Sequence, residues 1–222
     1  MFGSTIGSKV AMALSGAVWF GYVVAHMAGN LKAFGGRTKF NTYAEGLREL
    51  GAPFFGHSQV LWILRAVMIV AFAAHVIIAI RLVVLVRRAR PVGYHEDVHL
   101  ELSAVSRSMK WGGIVILVFV IYHLLHLTLG PVHPNFVPGD AYNNLVIGLQ
   151  SVPVATFYVL AAITVGFHLY HGIWSAFQTL GLNHAKYNHL RRGFAVAFAV
   201  AIAAGFSAIP VAVQVGVIAL GQ

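Results

Sequence analysis

Residues Val10 to Leu31 read VAMALSGAVWFGYVVAHMAGNL, twenty-two residues without a formal charge between Lys9 and Lys32. A helix needs about 20 mostly apolar residues to cross the hydrocarbon of a bilayer, so this stretch is long enough to span. Four more stretches like it follow. One runs from Ala52 to Ile80, interrupted only by Arg65, and sets a helix over about 56–86. Another lies between Lys110 and Asp140, where Gly130, Pro131 and Pro134 end a helix over about 111–130 and leave the remainder as loop. The uncharged run from Ala141 to Ala185 is too long for one span; Pro153 suits a first turn and Gly181 a C-terminal stop, which places the helix at about 151–180. The fifth covers about 193–220, with Pro210 as a kink.

The whole chain agrees with that reading. Of its 222 residues 59% are hydrophobic and only 9% charged, and the mean hydropathy is +0.78. Soluble domains carry roughly a quarter charged residues, and a water-exposed surface this poor in charge would precipitate. The expectation is an all-α integral membrane bundle of five transmembrane helices forming one domain over 1–222. The absence of Cys excludes disulfides, thiolate-bound clusters and thiol nucleophiles. The net charge of +9 comes from basic residues scattered between apolar runs, which argues against nucleic acid as a partner.

Orientation follows from the basic residues. With the N-terminus inside, the inner segments hold ten of them (Lys9, Arg81, Arg87, Arg88, Arg90, Arg107, Lys110, Lys186, Arg191, Arg192) and the outer segments four (Lys32, Arg37, Lys39, Arg48). Positive charge favours the cytoplasmic side, so the N-terminus is expected there. The first span exceeds the apolar core of a signal peptide, and no small-x-small cleavage site follows it, so it is retained as a helix. Between Phe34 and Gly51, Phe40, Tyr43, Leu47 and Leu50 recur at helical spacing among charges, which predicts a short amphipathic helix on the outer surface.

Histidine carries the chemistry. The chain has twelve, twice its acidic total, and His26, His75, His123, His126, His168 and His171 fall inside the first four predicted spans. Ionisable groups at membrane depth are expensive and mark functional sites, although a neutral imidazole bonded to a neighbouring helix is the plain alternative for any one of them. Zinc or copper suits four imidazoles less well than haem, because no carboxylate lies within a span and the surroundings are apolar. Bis-imidazole ligation takes one histidine from each of two facing helices, with small residues such as Gly16, Gly21, Gly29, Gly112, Gly113, Gly166 and Gly172 giving room. At 1.5 Å per residue, His26 and His123 lie roughly 8–10 Å from the outer ends of their helices, whereas His75 and His168 lie roughly 25–30 Å from theirs. That sorts them into two levels, His26 with His123 outside and His75 with His168 inside. Each of His126 and His171 follows a proposed ligand by three residues and shares its helix face, so spacing leaves either member of a doublet as the ligand. Gly172 favours His168 over His171, and the spare histidines are assigned to haem propionates, to a quinone or to structure.

Several segments carry a family resemblance: Gly7-Ser-Lys-Val-Ala-Met-Ala-Leu-Ser-Gly16, His26-Met-Ala-Gly-Asn-Leu31, Asn41-Thr-Tyr-Ala-Glu-Gly-Leu-Arg48, Trp111-Gly-Gly followed by His123-Leu-Leu-His126, and His168-Leu-Tyr-His-Gly-Ile-Trp-Ser-Ala-Phe-Gln-Thr-Leu-Gly181. In order and spacing they run through most of the chain. The chain resembles the cytochrome b membrane-anchor subunit of succinate dehydrogenase and fumarate reductase, in its single-chain, five-helix, two-haem form. The resemblance implies His26, His75, His123 and His168 as axial ligands of two haems b. It also implies a flavoprotein and an iron–sulphur subunit on the cytoplasmic side of a bacterial inner membrane, and a quinone, most often menaquinone, as the mobile carrier. Electrons would pass between the iron–sulphur subunit and the quinone through the inner and then the outer haem, or in reverse.

Around that frame, Arg65 toward the outside and Arg81 and Arg107 toward the inside are candidate partners of the anionic propionates; Arg65 stands out because it lies within a span, whereas Arg81 can snorkel. The basic loop from Arg87 to Lys110, with Tyr94, His95, Glu96, Asp97 and Glu101, is the expected docking surface, and contact with lipid head groups is compatible with that role. Glu45 and Glu49 outside, and His95, Glu96 and Asp97 inside, are the candidate proton carriers for a quinone. The competing readings are the di-haem anchor of a hydrogenase or nitrate reductase, which leaves the first-helix and fourth-helix motifs unexplained, and a histidine-containing transporter, which needs a polar pathway and usually repeats.

Overall fold

The structure, a computed structural model, describes residues 5–89 and 102–221. It is all-helical among those residues, with seven α-helices: α1 (Thr5–Asn30), α2 (Gly36–Gly46), α3 (Gln59–Ala89), α4 (Leu102–His123), α5 (Ala141–Leu149), α6 (Val152–Thr179) and α7 (Asn188–Gln214). Five helical segments are long and apolar enough to cross a membrane, carried by α1, α3, α4, α6 and α7, as the hydropathy pattern predicts. The chain is a multi-pass membrane protein.

Local chemistry sets the ends. Pro153 sits in the first turn of α6, where a missing N–H costs nothing, and Gly181, at φ +73°, turns the chain out of the same helix. The boundaries of the other spans move. Charge-free length had started the third and fifth at 111 and 193, but α4 begins at Leu102 and α7 at Asn188, because charged residues at helix ends extend into water. Buried Arg191 donates to the Leu182 carbonyl, to Asn183 and to Asn188, and lies over the Trp174 ring at 5.0 Å, so it locks the α6–α7 turn. At its other end α7 stops at Gln214, six residues short of the expected 220, and Gly216 at φ +78° ends it.

Two features were not foreseen. A π turn over Leu124–Thr128 prolongs α4, with Leu129 N–H donating to the Leu124 carbonyl and Gly130 N–H to that of Leu125. The stretch 141–150, which had no assigned role, contains the short helix α5. Asp140 caps it by accepting from the Asn143 N–H. Gln214 of α7 closes its far end by donating to the carbonyls of Leu149 and Gln150.

α5 makes the tightest core of the molecule. Tyr142, Leu145, Val146 and Leu149 are buried against Ala33 and Phe40 on one side and Ile209, Ala212, Val213 and Ile218 on the other. The predicted outer amphipathic helix is α2; it uses Phe40 and Tyr43, while Leu47 and Leu50 lie beyond its end. Together α2 and α5 cap the end of the bundle where α1 finishes and α3 begins. Asp140 ties them, accepting from Arg37 at 2.7 Å, from Asn41 Nδ2 at 2.9 Å and from Asn143 Nδ2 at 2.8 Å, while Asn41 Oδ1 accepts from the Tyr142 N–H. Burial alone would raise the Asp140 carboxyl, but the hydrogen bonds from Asn41, Arg37 and Asn143 and the Arg37 charge outweigh it and hold it below its ordinary value.

Away from the cap the helices pack unevenly. α6 lies along α7 through small residues: a Cβ at Gly166 would stand 3.1 Å from the Ala199 carbonyl. α1 packs on α3, α6 and α7, and α4 packs on α6. Among the described residues α3 and α4 do not pack on each other, and neither do α1 and α4 or α3 and α6 along their lengths. The two helices of each histidine pair, α1 with α4 and α3 with α6, are therefore not packed directly on one another, although α1 with α3 and α4 with α6 are.

Candidate functional site

Four histidines from four helices meet in two pairs. The His26 ring of α1 faces His123 of α4 with centroids 5.8 Å apart, and the His75 ring of α3 faces His168 of α6 at 6.2 Å. These are the two pairs that helix direction and residue rise predict. His26 lies about 6 Å from the end of α1, and His123 is the last residue of α4 before the π turn, so this pair sits under the cap. His75 and His168 each lie about 24 Å along their helices from that end.

The spacing has chemical content. Two imidazole nitrogens sharing a metal, at the roughly 2.0–2.1 Å usual for metal–histidine bonds, would set the ring centroids at most about 6.3–6.5 Å apart, since each nitrogen lies about 1.15 Å from its ring centre. The 6.2 Å pair is close to that figure, and the 5.8 Å pair falls at least half an ångström short of it. Each pair is also held by helices that do not pack closely on one another among the described residues. A Cβ placed at Gly21 of α1, Gly113 of α4 or Gly172 of α6 meets nothing within 4 Å. Two of the proposed spacer glycines serve packing instead: Gly166 admits α7, and Gly29 admits Tyr43, whose hydroxyl would lie 2.4 Å from an added Cβ. Nδ1 of His123 and Nδ1 of His168 are buried with no hydrogen-bond partner. Four imidazoles, apolar surroundings and no carboxylate among the described spans fit haem better than a hydrated ion.

One ligand is oriented by a neighbour. Ser15 donates its hydroxyl proton to the Met12 carbonyl at 3.0 Å, so at 3.1 Å its oxygen accepts from His75 Nδ1–H. That leaves Nε2 of His75 unprotonated and free to ligate, the usual arrangement for a metal-binding histidine. Sequence reasoning passed over Ser15. Its signal was a hydroxyl inside an apolar span, next to Gly16, where the α1 backbone lies against the His75 ring.

The doublets part company. In a regular helix His126 would share the face of His123, but the π turn redirects it. His126 is buried at 1% exposure and points into the cap: its Nδ1 is 2.9 Å from the Tyr158 hydroxyl, it stacks on Tyr122, and its ring centroid is 5.1 Å from that of His133. Gly148 of α5 makes space for it, since a Cβ there would lie 2.8 Å from the imidazole. His133 accepts from the Asn135 N–H through Nδ1 and donates through Nε2 to the Asn144 carbonyl at 2.8 Å. His171 stays on α6 one turn past His168, with Nδ1 buried and unpartnered, and Trp174 Nε1 one turn further is in the same state.

The candidate arginines are less specific. Arg65 is exposed on the outer turns of α3 and lies over the Trp62 ring at 4.7 Å, at a depth close to that of His26. Arg81 is half-buried near the far end of α3, and Arg107 falls within α4. Outside the bundle, Glu45 pairs with Arg48 at 2.6 Å and Glu49 with His57 at 2.6 Å, so both outer carboxylates are engaged at the surface. Tyr94, His95, Glu96, Asp97 and Glu101 of the expected docking loop lie outside the described residues.

Fold and site together define a class: a multi-pass, all-helical membrane protein with two bis-histidine levels in one bundle. Compared with family models, with curated proteins and with solved structures, the chain matches none.

Proposed function

We propose that the chain is the di-haem cytochrome b anchor of a succinate:quinone oxidoreductase in a bacterial inner membrane, with its N-terminus cytoplasmic. In that role it links an iron–sulphur subunit, itself joined to a flavoprotein, to the membrane quinone pool. The observation that carries the reading is the meeting of four histidines from four helices in two pairs, at 5.8 and 6.2 Å. Haem b bound at these places supplies reversible one-electron chemistry. The protein's part is to present the imidazoles, fix the His75 tautomer through Ser15, and exclude water with apolar walls. The segments that resemble the anchor family support the choice among cytochromes b, because two of them run onward from His26 and from His168 themselves.

The test is purification from membranes with intact partners, a reduced-minus-oxidised spectrum and haem quantitation. Two haems b per chain, with a flavoprotein and an iron–sulphur protein retained, is the expected result. Two haems without a flavoprotein would point to another respiratory anchor, and none would sink the haem reading.

A further inference from the structure

We infer that Tyr158 and His126 position the His123 ring, and so make the cap formed by α2 and α5 part of the outer metal-binding level. The inference rests on the di-haem reading, and it concerns residues that reading does not use as ligands. Besides the ring of its partner His26 at 5.8 Å, two rings enclose His123: Phe119 one turn earlier at 5.6 Å and Tyr158 of α6 at 5.8 Å. Its Nδ1 has no hydrogen-bond partner, so nothing polar sets its rotation as Ser15 sets that of His75. The packing of neighbouring rings must do so.

Of those neighbours Tyr158, on α6, is the one that stands on neither helix of the pair. Its hydroxyl meets His126 Nδ1 at 2.9 Å, and its ring packs edge-on against Phe119 at 5.1 Å. His126 is itself fixed on three sides, by stacking on Tyr122, by the His133 ring and by the gap at Gly148. His133 in turn is bound to the backbone of α5 at Asn144. The line of contacts runs from α5 through His133 and His126 to Tyr158 and ends on the His123 ring. The π turn makes it possible, because it takes His126 off the face of His123 and aims it at the cap. π turns inside α-helices are frequent at functional sites, where they re-aim a side chain in this way.

The conservative variant Tyr158→Phe removes one oxygen and keeps the ring, and His126→Gln tests the same line one step further out. Both are read in the intact complex by haem quantitation and by low-temperature electron paramagnetic resonance of the oxidised haems, whose low-field signals report the relative orientation of the two axial imidazole planes. The expected result is two haems per chain in each variant, one signal displaced and the other, from the His75 and His168 level, in place. Two haems with both signals unmoved in both variants would overturn the positioning role while leaving the di-haem reading intact. Absence of haem from the wild-type complex would overturn both.

Discussion

Asp140 is the residue on which the cap depends most. Asp140→Ala removes the N-cap of α5, worth about 1 kcal/mol. It also removes the acceptor for Asn41 and Asn143, and hydrogen bonds to a charged group are worth about 1.5 kcal/mol each at the low end. The Arg37 pair adds little, because that side chain is 53% exposed and a surface pair contributes about 0.5 kcal/mol. One carboxylate cannot supply all of this independently, so the net effect is about 3 kcal/mol. At 1.4 kcal/mol per factor of ten, local opening of α2 and α5 rises roughly 100-fold. Amide hydrogen exchange of the protein in lipid nanodiscs reads this directly. Peptides covering 36–46 and 141–149 should exchange roughly 100-fold faster, while peptides covering the middle of α6 keep wild-type rates. Wild-type protection in α2 and α5 would refute the argument, and so would uniform loss across every helix, which would mean that the bundle has no separate cap.

The same carboxyl gives the cap its acid limit: its titration in the fold lies below the ordinary 3.8, so its stabilisation is complete above that value and disappears as pH falls through the folded one. Protection factors in α2 and α5, corrected for the intrinsic pH dependence of amide exchange, should fall only below about pH 4 and stay flat from about pH 5 to 8, and a transition near neutrality would contradict the assignment. For the histidine pairs, His26→Ala and His123→Ala should remove the same haem signal and His75→Ala and His168→Ala the other; the loss of one common signal in His26→Ala and His168→Ala would break the pairing. Ser15→Ala should weaken haem retention at the His75 level roughly 10–100-fold in competition with apo-myoglobin, with no change at the other level, as loss of a ligand's orienting partner usually does. Gly29→Ala forces a methyl into the Tyr43 ring and should lower cap stability by about 1–3 kcal/mol in the same exchange assay, an effect that Gly29→Ala with Tyr43→Ala should largely remove.

What the sequence disclosed and what it concealed divide along a physical line. The spans and the pairing of the histidine rings were legible because they depend on charge-free length and on a fixed rise per residue, both countable along the chain. Pro153 and Gly181 marked their helix end correctly for the same kind of reason, since each acts through its own backbone. α5 was hidden because Ala141 to Leu149 are as apolar as a span, and only burial against Ile209, Val213 and Ile218 separates core from membrane. Its cap residue was visible in Asp140, three before Asn143, but an N-cap signal inside a supposed loop had no helix to attach to. The π turn was hidden more deeply, because a shift from one carbonyl partner to the next leaves no mark in residue type. That shift is what separated His126 from His123, two residues that spacing alone put on one face.

The two ends of the molecule are built on different principles, and the difference bears on how the site works. Under the cap, side chains are hydrogen-bonded through Asp140, Asn41, Asn144 and Gln214, beside the rings that surround His123. At the His75 level no such shell exists among the described residues, and the ligand is oriented by one hydroxyl on its neighbouring helix. A ligand fixed by one hydrogen bond responds to small movements of α1 against α3, whereas one fixed by packed rings responds to the cap. Under the di-haem reading two sites of the same ligand type would therefore have different surroundings, and burial, hydrogen bonding and ring orientation are the terms by which a protein sets one haem's potential apart from another's. On the proposed function, that asymmetry gives electron transfer across the bundle a direction that four identical imidazoles could not supply by themselves.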